Sequence, residues 1–419
     1  MTLMMLLVFG LLLVLALPVG YALIISSGLA AITVGGIPSV AAVVKIFQPT
    51  QSFPLLAIPF FVLSGHLMMG GILGSKLIHF ATSLVGRFHG GLGQVTVVGS
   101  TVFGGVSGSA VAEASALGSM LIPWQKREGY PGAFCAAVTA SSSVIAGLIP
   151  PSIPLIVYAA VSNASIASLF LAGLIPGGLL CLGFMLVCYL TGRLRGFPRL
   201  TQEVTARGVL KAALAAAPAL AMPAFIVILL RAGIATPTEV SVMAVFYGLL
   251  VSSMLYRDLS MRRLYDALVH TAVTTGVVML VIAASNLVGY VLTVEAVPTL
   301  VAEWSVDVLK NPILIILMMN LIMLVVGMFL DLPAAILLLG PTFVAIGSVI
   351  GLDLIQLGIM MAVNLSIGLF TPPVGTTLFI GAAISKEPVG AIVKELWPFY
   401  LVALAVLGIV SFVPAATFY

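Results

Sequence analysis

Charged side chains are scarce in this sequence. Asp, Glu, Lys and Arg make up only 7% of the 419 residues, against about 25% in an average soluble domain. Hydrophobic residues make up 61%, and the mean hydropathy is +1.27. A soluble chain of this size could not cover its surface with so few charges. The composition therefore excludes a soluble enzyme, a nucleic-acid-binding protein and a disordered chain.

Cysteine and histidine are also rare. The three cysteines, Cys135, Cys181 and Cys188, are odd in number and lie in apolar stretches. This favours buried small side chains over a disulfide framework or a metal site. The four histidines show no HExxH or other paired ligand spacing. Since no nucleophile–base pair of an intramembrane enzyme can be placed either, we expect no enzyme activity, no organic cofactor and no zinc.

Long stretches without any charge indicate the architecture. Residues 1–44 and 129–192 contain no Asp, Glu, Lys or Arg. A helix needs about 20 apolar residues to cross a bilayer, so the second stretch must hold more than one crossing. These runs are too long and continuous for barrel strands. We predict an all-α polytopic membrane protein with roughly 11–13 membrane-inserted segments, the first of them a retained helix rather than a cleaved signal peptide.

Two basic clusters orient the chain. They contain Arg193, Arg195, Arg199, Arg207 and Lys211 in the first, and Arg257, Arg262 and Arg263 in the second. Two apolar stretches joined by a turn lie between the clusters, so both clusters lie on one side. The positive-inside rule makes that side cytoplasmic.

Glycine and proline cluster inside the apolar stretches, which suggests broken helices. An offset of 222 residues relates Pro150–Pro151 to Pro372–Pro373, Pro176 to Pro398, Gly105 to Gly327, and Ser109 to Asp331. Paired interruptions at corresponding places in two halves are the best sequence pointer to a transporter's binding site. The pattern predicts an internal repeat with one break in each half.

Residues 104–118 are small and polar, with little side-chain bulk to face lipid. One interpretation is a re-entrant hairpin with Gly108 near its tip, whose freed carbonyls and hydroxyls coordinate a hard cation. The other is close helix packing through small residues. The sequence favours neither.

Two further segments carry the double prolines. Residues 140–152 and 364–377 each combine hydroxyl side chains with two prolines that remove backbone donors. The carbonyls left free need partners, which could be sodium or water. In the second segment, Asn364, Thr371 and Thr376 are among the side chains that supply uncharged oxygens. The helix that follows the break presents free N–H groups suited to a carboxylate.

Three acids lie within apolar surroundings, where such residues are costly and usually functional. Glu113 could be a partner of substrate or ion, or lie near water. Asp331 could be a ligand at a hairpin tip or a helix cap. Glu239 follows Thr236 and Pro237, and could be an acid in the first turn of a capped helix.

A set of ordered motifs gives the chain a family resemblance. The motifs are LLAIPFF (55–61), GHLM (65–68), SGS (107–109), GY (129–130), IPPSI (149–153), AGLIPG (172–177), TPTE (236–239), GMFLD (327–331) and NLSIGLFTPPVG (364–375). Together they resemble the large, DctM-type membrane subunit of TRAP (tripartite ATP-independent periplasmic) transporters over nearly the whole chain.

The resemblance implies a function and a fold. It implies a sodium-driven secondary importer of an organic anion, such as a C4-dicarboxylate or a similar carboxylate, in the bacterial inner membrane. A periplasmic binding protein would deliver the substrate, and a separate four-helix membrane subunit would complete the complex. The implied fold has inverted repeats, two re-entrant hairpins and two broken helices that form an elevator-type transport domain beside a scaffold.

The implied domain boundaries follow the repeat. Residues 1–419 form one integral membrane domain in contact with lipid. The first half spans 54–190, with a hairpin near 100–123 and a broken helix near 137–160. Residues 191–265 hold cytoplasmic loops and scaffold helices. The second half spans 266–419, with a hairpin near 320–345 and a broken helix near 358–385.

The resemblance also assigns site residues. Sodium ligands would be Ser107, Ser109, Gly147 and Pro150 in the first half, and Gly327, Gly368, Thr371 and Val374 in the second. Pro150 and Val374 would act through backbone carbonyls. Candidates along the substrate pathway are Gly108, Glu113, Ser152, Asp331, Asn364 and Thr376. The alternative to a TRAP subunit is a stand-alone sodium-coupled dicarboxylate symporter of related hairpin architecture.

Overall fold

The chain is almost entirely helical. The computed structural model describes residues 1–15, 17–33, 37–69, 72–199 and 205–417. These residues contain nineteen α-helices and no β-strand. The helices are α1 (Thr2–Val14), α2 (Val19–Thr33), α3 (Ser39–Phe47), α4 (Ala57–Met69), α5 (Ile72–Val85), α6 (Gly91–Ser107), α7 (Ala110–Arg127), α8 (Gly132–Ser142), α9 (Ile153–Ser162), α10 (Ile166–Leu194), α11 (Ala206–Arg231), α12 (Pro237–Leu250), α13 (Met261–Val294), α14 (Val297–Leu309), α15 (Pro312–Gly327), α16 (Leu332–Ile350), α17 (Leu354–Leu369), α18 (Thr376–Ser385) and α19 (Val389–Phe412).

Six described helices are long and apolar enough to cross a membrane. They are α10, α11, α12 with the π-helical turn that extends it to Leu255, α13, α16 and α19. Helices α4 and α5 meet at 73° and could count as a seventh, bent span. The other apolar segments are helices of 10–17 residues. Full-length spans are thus fewer than the roughly 11–13 inserted segments predicted, because turns and breaks divide the apolar stretches.

Serine and threonine begin many of these helices. The side chains of Ser109, Ser152, Ser165, Thr205, Thr236 and Ser260 each accept a hydrogen bond from a backbone N–H in the first turn. Such a cap contributes about 1 kcal/mol to helix stability. The Thr236 cap is reinforced by Glu239, whose carboxylate accepts from the Thr236 backbone N–H at 2.7 Å. Glu239 is therefore a capping acid, one of the roles that the sequence allowed.

The helices recur with the predicted offset. Helices α7 and α16 begin 222 residues apart, at Ala110 and Leu332, and so do α8 and α17, at Gly132 and Leu354. Helices α6 and α15, α9 and α18, and α10 and α19 begin within one residue of the same offset. Five consecutive helices of the first half therefore have counterparts in the second, which agrees with the internal repeat predicted from the double prolines.

The two halves exchange helices at the centre of the molecule. Helix α18 packs mainly against α7 and α8 of the first half, and α9 packs mainly against α16 of the second. The Thr377 hydroxyl donates to the Ala140 carbonyl at 3.0 Å, joining α18 to α8. The Tyr158 hydroxyl donates to the Leu354 carbonyl at 2.8 Å, joining α9 to α17. We call α6–α9 and α15–α18 together the central block.

The remaining helices lie around this block. Helix α12 packs on α4, and α11 packs on α5; α13 packs on α2, α4 and α16. We call α1–α5 and α11–α14 the outer frame. Helices α10 and α19, which correspond in the repeat, pack on each other and on the central block. Apolar side chains such as Leu182, Leu214 and Phe246 stay exposed on α10, α11 and α12, as expected for helices that face lipid or another membrane protein.

Candidate functional site

Helices α6 and α7 form a tight pair, which we call pair 1. Helix α6 ends at Ser107, and Gly108 follows with φ of 62° before Ser109 caps α7. A Cβ atom on Gly108 would collide with the carbonyl oxygen of Pro151. Glycine is therefore required at this tip, both for its left-handed backbone and for the close approach.

The tip of pair 1 lies directly on the first break. Break 1 spans residues 143–152, a 3₁₀ turn (Ser143–Gly147) followed by irregular backbone. The Ile153 N–H faces the Gly108 carbonyl at 3.4 Å. The Ser152 hydroxyl donates to the Gly147 carbonyl at 2.6 Å and caps α9 by accepting from the Leu155 N–H. Two protein segments thus present carbonyl and hydroxyl oxygens to each other.

The second half repeats this arrangement. Helices α15 and α16 form pair 2, joined by residues 328–331, and break 2 spans residues 370–375 between α17 and α18. A Cβ atom on Gly368 would collide with the backbone of Gly327, so the end of α15 touches the end of α17. The Thr371 N–H donates to the Gly368 carbonyl at 3.0 Å. The Thr371 hydroxyl donates to the Ile367 carbonyl at 2.6 Å.

A cavity of about 270 Å³ lies where pair 1, break 1, pair 2 and the end of α17 meet. Pair 1 contributes Gly108 to Val111, break 1 contributes Gly147, pair 2 contributes Asp331 to Pro333, and α17 contributes Leu369. The first residues of three helices, α7, α9 and α16, border it. Helix N-termini carry a partial positive charge and free N–H groups, so the cavity is suited to an anionic group.

Ser109 and Asp331 occupy matching places in this cavity. Each immediately precedes the second helix of its pair, and the two are separated by 222 residues. Ser109 accepts a long hydrogen bond of 3.4 Å from the Ala112 N–H, whereas the Asp331 side chain makes no capping hydrogen bond. Asp331 thus places a carboxylate at a tip where the first half has a hydroxyl.

The predicted site residues fall into two groups. Gly108, Ser109, Gly147 and Asp331 come together in the cavity. Glu113, Ser152, Asn364 and Thr376 are not among its lining residues. The Asn364 side chain instead donates to the side-chain oxygen of Asn320 at 2.7 Å and to the backbone carbonyl of Asn320 at 3.0 Å. These bonds link α17 to pair 2. Ser152 caps α9, and Thr376 lies in the first turn of α18.

Ser107, Pro150 and Val374 are not among the described lining residues of the cavity. Ser107 lines a small adjoining pocket together with Ser109 and His66. Pro150 is buried within break 1. Val374 is 43% exposed in break 2.

One wall of the cavity was missed by the sequence reasoning. Helix α13 contributes Val273, Thr274, Val277 and Val278. The charge-free stretch 267–294 reads as an ordinary span, but its Thr274–Thr275 pair was an available signal of a polar face. The Thr275 hydroxyl is buried and has no hydrogen-bond partner among the described residues.

A larger cavity of about 510 Å³ lies further along α13, towards Glu295. It lies between α13 of the outer frame and helices α9 and α16 of the central block. Lys45 lines it, with its ammonium 5.1 Å from the centre of the Tyr290 ring. Asn286 donates to the Lys45 carbonyl at 2.5 Å. This cavity offers a cationic side chain at the boundary between frame and block.

Residues 5–416 match the family model described as the tripartite ATP-independent periplasmic transporter, DctM component. The chain belongs to this family of TRAP large permeases. It is therefore a transporter permease and not an enzyme. With its six or more apolar helices of spanning length, it is a multi-pass protein of the inner membrane.

Several relatives match the DctM-type permease along most of their length. An uncharacterised protein, y4mL of Sinorhizobium fredii, is 52% identical over the whole of both chains. The C4-dicarboxylate TRAP transporter large permease protein DctM of Pseudomonas aeruginosa is 37% identical over 89% of this chain and 87% of its own. The sialic acid TRAP transporter large permease protein SiaM of Vibrio cholerae is 35% identical over 88% and 86%.

Proposed function

We propose that this TRAP large permease imports an organic anion together with sodium. The observation that carries the proposal is the cavity of about 270 Å³ at which both helix pairs and both broken helices meet. Broken helices whose ends converge on one site are the arrangement by which secondary transporters bind substrate and coupling ions.

The cavity favours a small anion. Three helix N-termini border it, and Ser109 and Thr274 add hydroxyls. Asp331 is the one charged side chain among its described lining residues, and a sodium ion beside it would balance its carboxylate when the anion binds. Helix ends and hydroxyls can hold a carboxylate without a permanent positive charge. Two relatives are named for C4-dicarboxylate and sialic acid, which are both carboxylates. We propose a carboxylate substrate of similar or smaller size.

Sodium would bind where each pair touches its break. In the second half the close approach of Gly327 to Gly368 brings together backbone carbonyls and Thr371, and the Val374 carbonyl would complete the set. In the first half the corresponding ligands would be Ser107, Ser109, Gly147 and Pro150. Uncharged oxygens of this kind suit a hard monovalent cation. The buried Ser366 hydroxyl, which has no hydrogen-bond partner among the described residues, lies beside Gly147 and supports an oxygen-rich centre.

The central block and the outer frame suggest how transport occurs. We propose that the block, with both pairs re-entrant and the two halves inverted, moves as an elevator against the frame. The larger cavity beside Lys45 lies at their boundary and would receive the anion from the periplasmic side. TRAP large permeases work with a small membrane subunit and a periplasmic binding protein, and the exposed apolar helices offer surfaces for that subunit and for lipid.

The test is uptake in proteoliposomes that contain this chain and its small subunit. Radiolabelled carboxylates are offered with and without a sodium gradient, and with and without the cognate binding protein. We expect uptake that requires both. Uptake unchanged when potassium replaces sodium at fixed membrane potential would reject sodium coupling. Sodium-driven uptake without the binding protein would instead support the stand-alone symporter.

A further inference from the structure

Glu113 is a buried acid that does not line the cavity. It lies in α7, one turn after the tip of pair 1, and its side chain is fully buried. Neither carboxylate oxygen has a hydrogen-bond partner among the described residues. None of the ion pairs between described residues includes Glu113. A buried carboxylate without a partner is strongly unfavourable, so its surroundings need an explanation.

A hydrogen-bonded pair of buried hydroxyls lies in the central block, and one of the two is near this carboxylate. Ser100 of α6 and Ser142 of α8 are 1% and 0% exposed, and their oxygens are 2.9 Å apart. The Ser100 hydroxyl faces the Glu113 carboxyl without completing a hydrogen bond to it. Oxygens from α6, α7 and α8 therefore converge inside the central block.

These groups offer many acceptors and few donors. The two serine hydroxyls carry two protons, and one of them is used in the bond between Ser100 and Ser142. At most one proton remains for a carboxylate that can accept about four hydrogen bonds. Helix α8 ends at Ser142, so the negative end of its dipole also points here. An excess of oxygen acceptors with a negative potential is the environment of a hard cation.

The internal repeat shows that the fold does not require this acid. The residue 222 positions after Glu113 is Ala335, in the second helix of pair 2, and it is also fully buried. A helix pair of the same kind therefore packs with a methyl group at this place. The helix pair of the first half therefore does not need the Glu113 carboxyl group in order to pack.

We propose that Glu113, with the hydroxyls of Ser100 and Ser142, holds an additional sodium ion inside the central block. The site is separate from the ligands assigned to the two pair–break contacts, since its three side chains lie one or more turns deeper in α6, α7 and α8. The inference rests on the sodium coupling proposed above and adds one ion and one positive charge to each transport cycle. The bound ion balances the charge of Glu113 while the loaded block crosses the membrane, and the carboxylate returns without it.

The first test counts ions. Equilibrium binding of ²²Na⁺ is measured on the purified complex of this chain with its small subunit. We expect Glu113→Gln to bind one sodium ion fewer per complex than the wild type. Ser100→Ala should weaken the binding of one ion several-fold while leaving the others unchanged. The matched control is Ser141→Ala, which removes a fully buried serine hydroxyl of α8 that bonds only within its own helix.

The second test counts charge. The membrane potential that balances a known substrate gradient in proteoliposomes gives the charge moved per substrate. We expect Glu113→Gln to lower that number by one elementary charge, and Glu239→Gln, which alters a capping acid of the outer frame, to leave it unchanged. If Glu113→Gln does not fold, Glu113→Ala takes its place, because Ala335 shows that the packing accepts alanine.

The outcomes separate this inference from the proposed function. Equal sodium counts and equal charge for wild type and Glu113→Gln would overturn the additional site and make Glu113 a neutral buried acid, while sodium coupling would stand. A wild-type complex that binds no sodium would overturn the proposed coupling itself. A wild-type complex that loses one ion on the Glu113 change alone supports both.

Discussion

The Thr371 side chain makes a hydrogen bond to the end of α17 and is also a proposed sodium ligand. Its hydroxyl donates to the Ile367 carbonyl at 2.6 Å, which fixes the direction of the hydrogen atom. The oxygen keeps lone pairs with which it could bind a cation. Thr82 makes the same bond in α5, to the Ile78 carbonyl at 2.7 Å, outside the central block. The two threonines therefore allow the ligand role to be separated from the helix bond.

We expect Thr371→Val to raise the sodium concentration for half-maximal uptake by about tenfold. The change removes one oxygen near a charge, an interaction of about 1.5 kcal/mol, and keeps the shape of the side chain. Sodium-dependent uptake in proteoliposomes measures the effect, with Thr82→Val as the control. An unchanged sodium requirement in Thr371→Val would reject Thr371 as a ligand.

Gly108→Leu should abolish uptake without preventing membrane insertion. A side chain here would collide with the Pro151 carbonyl and would have to adopt a backbone conformation that costs about 1–3 kcal/mol for a non-glycine residue. Gly178→Leu is the control, because a Cβ atom at Gly178 meets nothing within 4 Å. Substrate uptake is compared with the amount of protein in the membrane. Normal uptake by Gly108→Leu would mean that the tip can move away from break 1.

Among the helices, the contact of α17 with pair 2 depends on two asparagines. Asn320 of α15 and Asn364 of α17 are buried, and Asn364 donates twice to Asn320. Asn320 in turn donates to the Ser411 hydroxyl of α19 at 3.0 Å. This chain of hydrogen bonds links three helices in a region of low dielectric, where an unpaired polar group is costly. Because these hydrogen bonds join three helices and Asn364 does not line the cavity, we predict a structural role for the two asparagines.

We expect Asn364→Leu to lower the stability of the protein by about 1–3 kcal/mol, because it leaves the Asn320 side-chain oxygen buried without its donor. The melting temperature of the purified complex measures the loss. The substrate concentration for half-maximal uptake should not change, since Asn364 does not line the cavity. The double variant Asn320→Leu with Asn364→Leu should lose less than the sum of the two single changes. Weaker substrate binding in Asn364→Leu would instead support Asn364 as part of the substrate pathway.

Across the whole molecule, elevator transport requires that contacts within the central block persist while contacts with the outer frame change. One pair of neighbouring residues can test each kind of contact. A Cβ atom on Gly340 would lie 3.7 Å from the Cβ atom of Val161, both within the block. A Cβ atom on Gly105 would lie 3.2 Å from the Cβ atom of Pro223, which belongs to α11 of the frame. Both separations are close to those of disulfides.

We expect a disulfide between Val161→Cys and Gly340→Cys to leave uptake intact, and one between Gly105→Cys and Pro223→Cys to stop it until a reductant is added. The experiment uses a background in which Cys135, Cys181 and Cys188 are replaced. Uptake before oxidation and after reduction is the control for each pair. Transport through an intact Gly105–Pro223 cross-link would show that α11 moves with pair 1.

The sequence could predict features that depend on local chemistry. Charge-free stretches predicted helices, and the double prolines predicted where α8–α9 and α17–α18 are interrupted. The small and polar residues around Gly108 allow a hairpin tip there, the apolar surroundings of Asp331 single out this acid, and the family resemblance adds Ser109. All three line the same cavity. What the sequence could not show is which helices meet. The roles of Asn364, of Thr274 on α13 and of the Ser100–Ser142 pair depend on contacts between distant segments, which no local pattern encodes.

The exchange of helices between the halves has a consequence for synthesis. The face of α7 and α8 is covered by α18, and Lys126 of α7 donates to the Ser385 carbonyl at 2.8 Å across 259 residues of sequence. At a translation rate of about 5–20 residues per second, the ribosome needs roughly 13–52 s to make that intervening chain. For that time the first half is inserted with an uncovered face of small and polar side chains. We expect any membrane chaperone that protects this face to act during this interval.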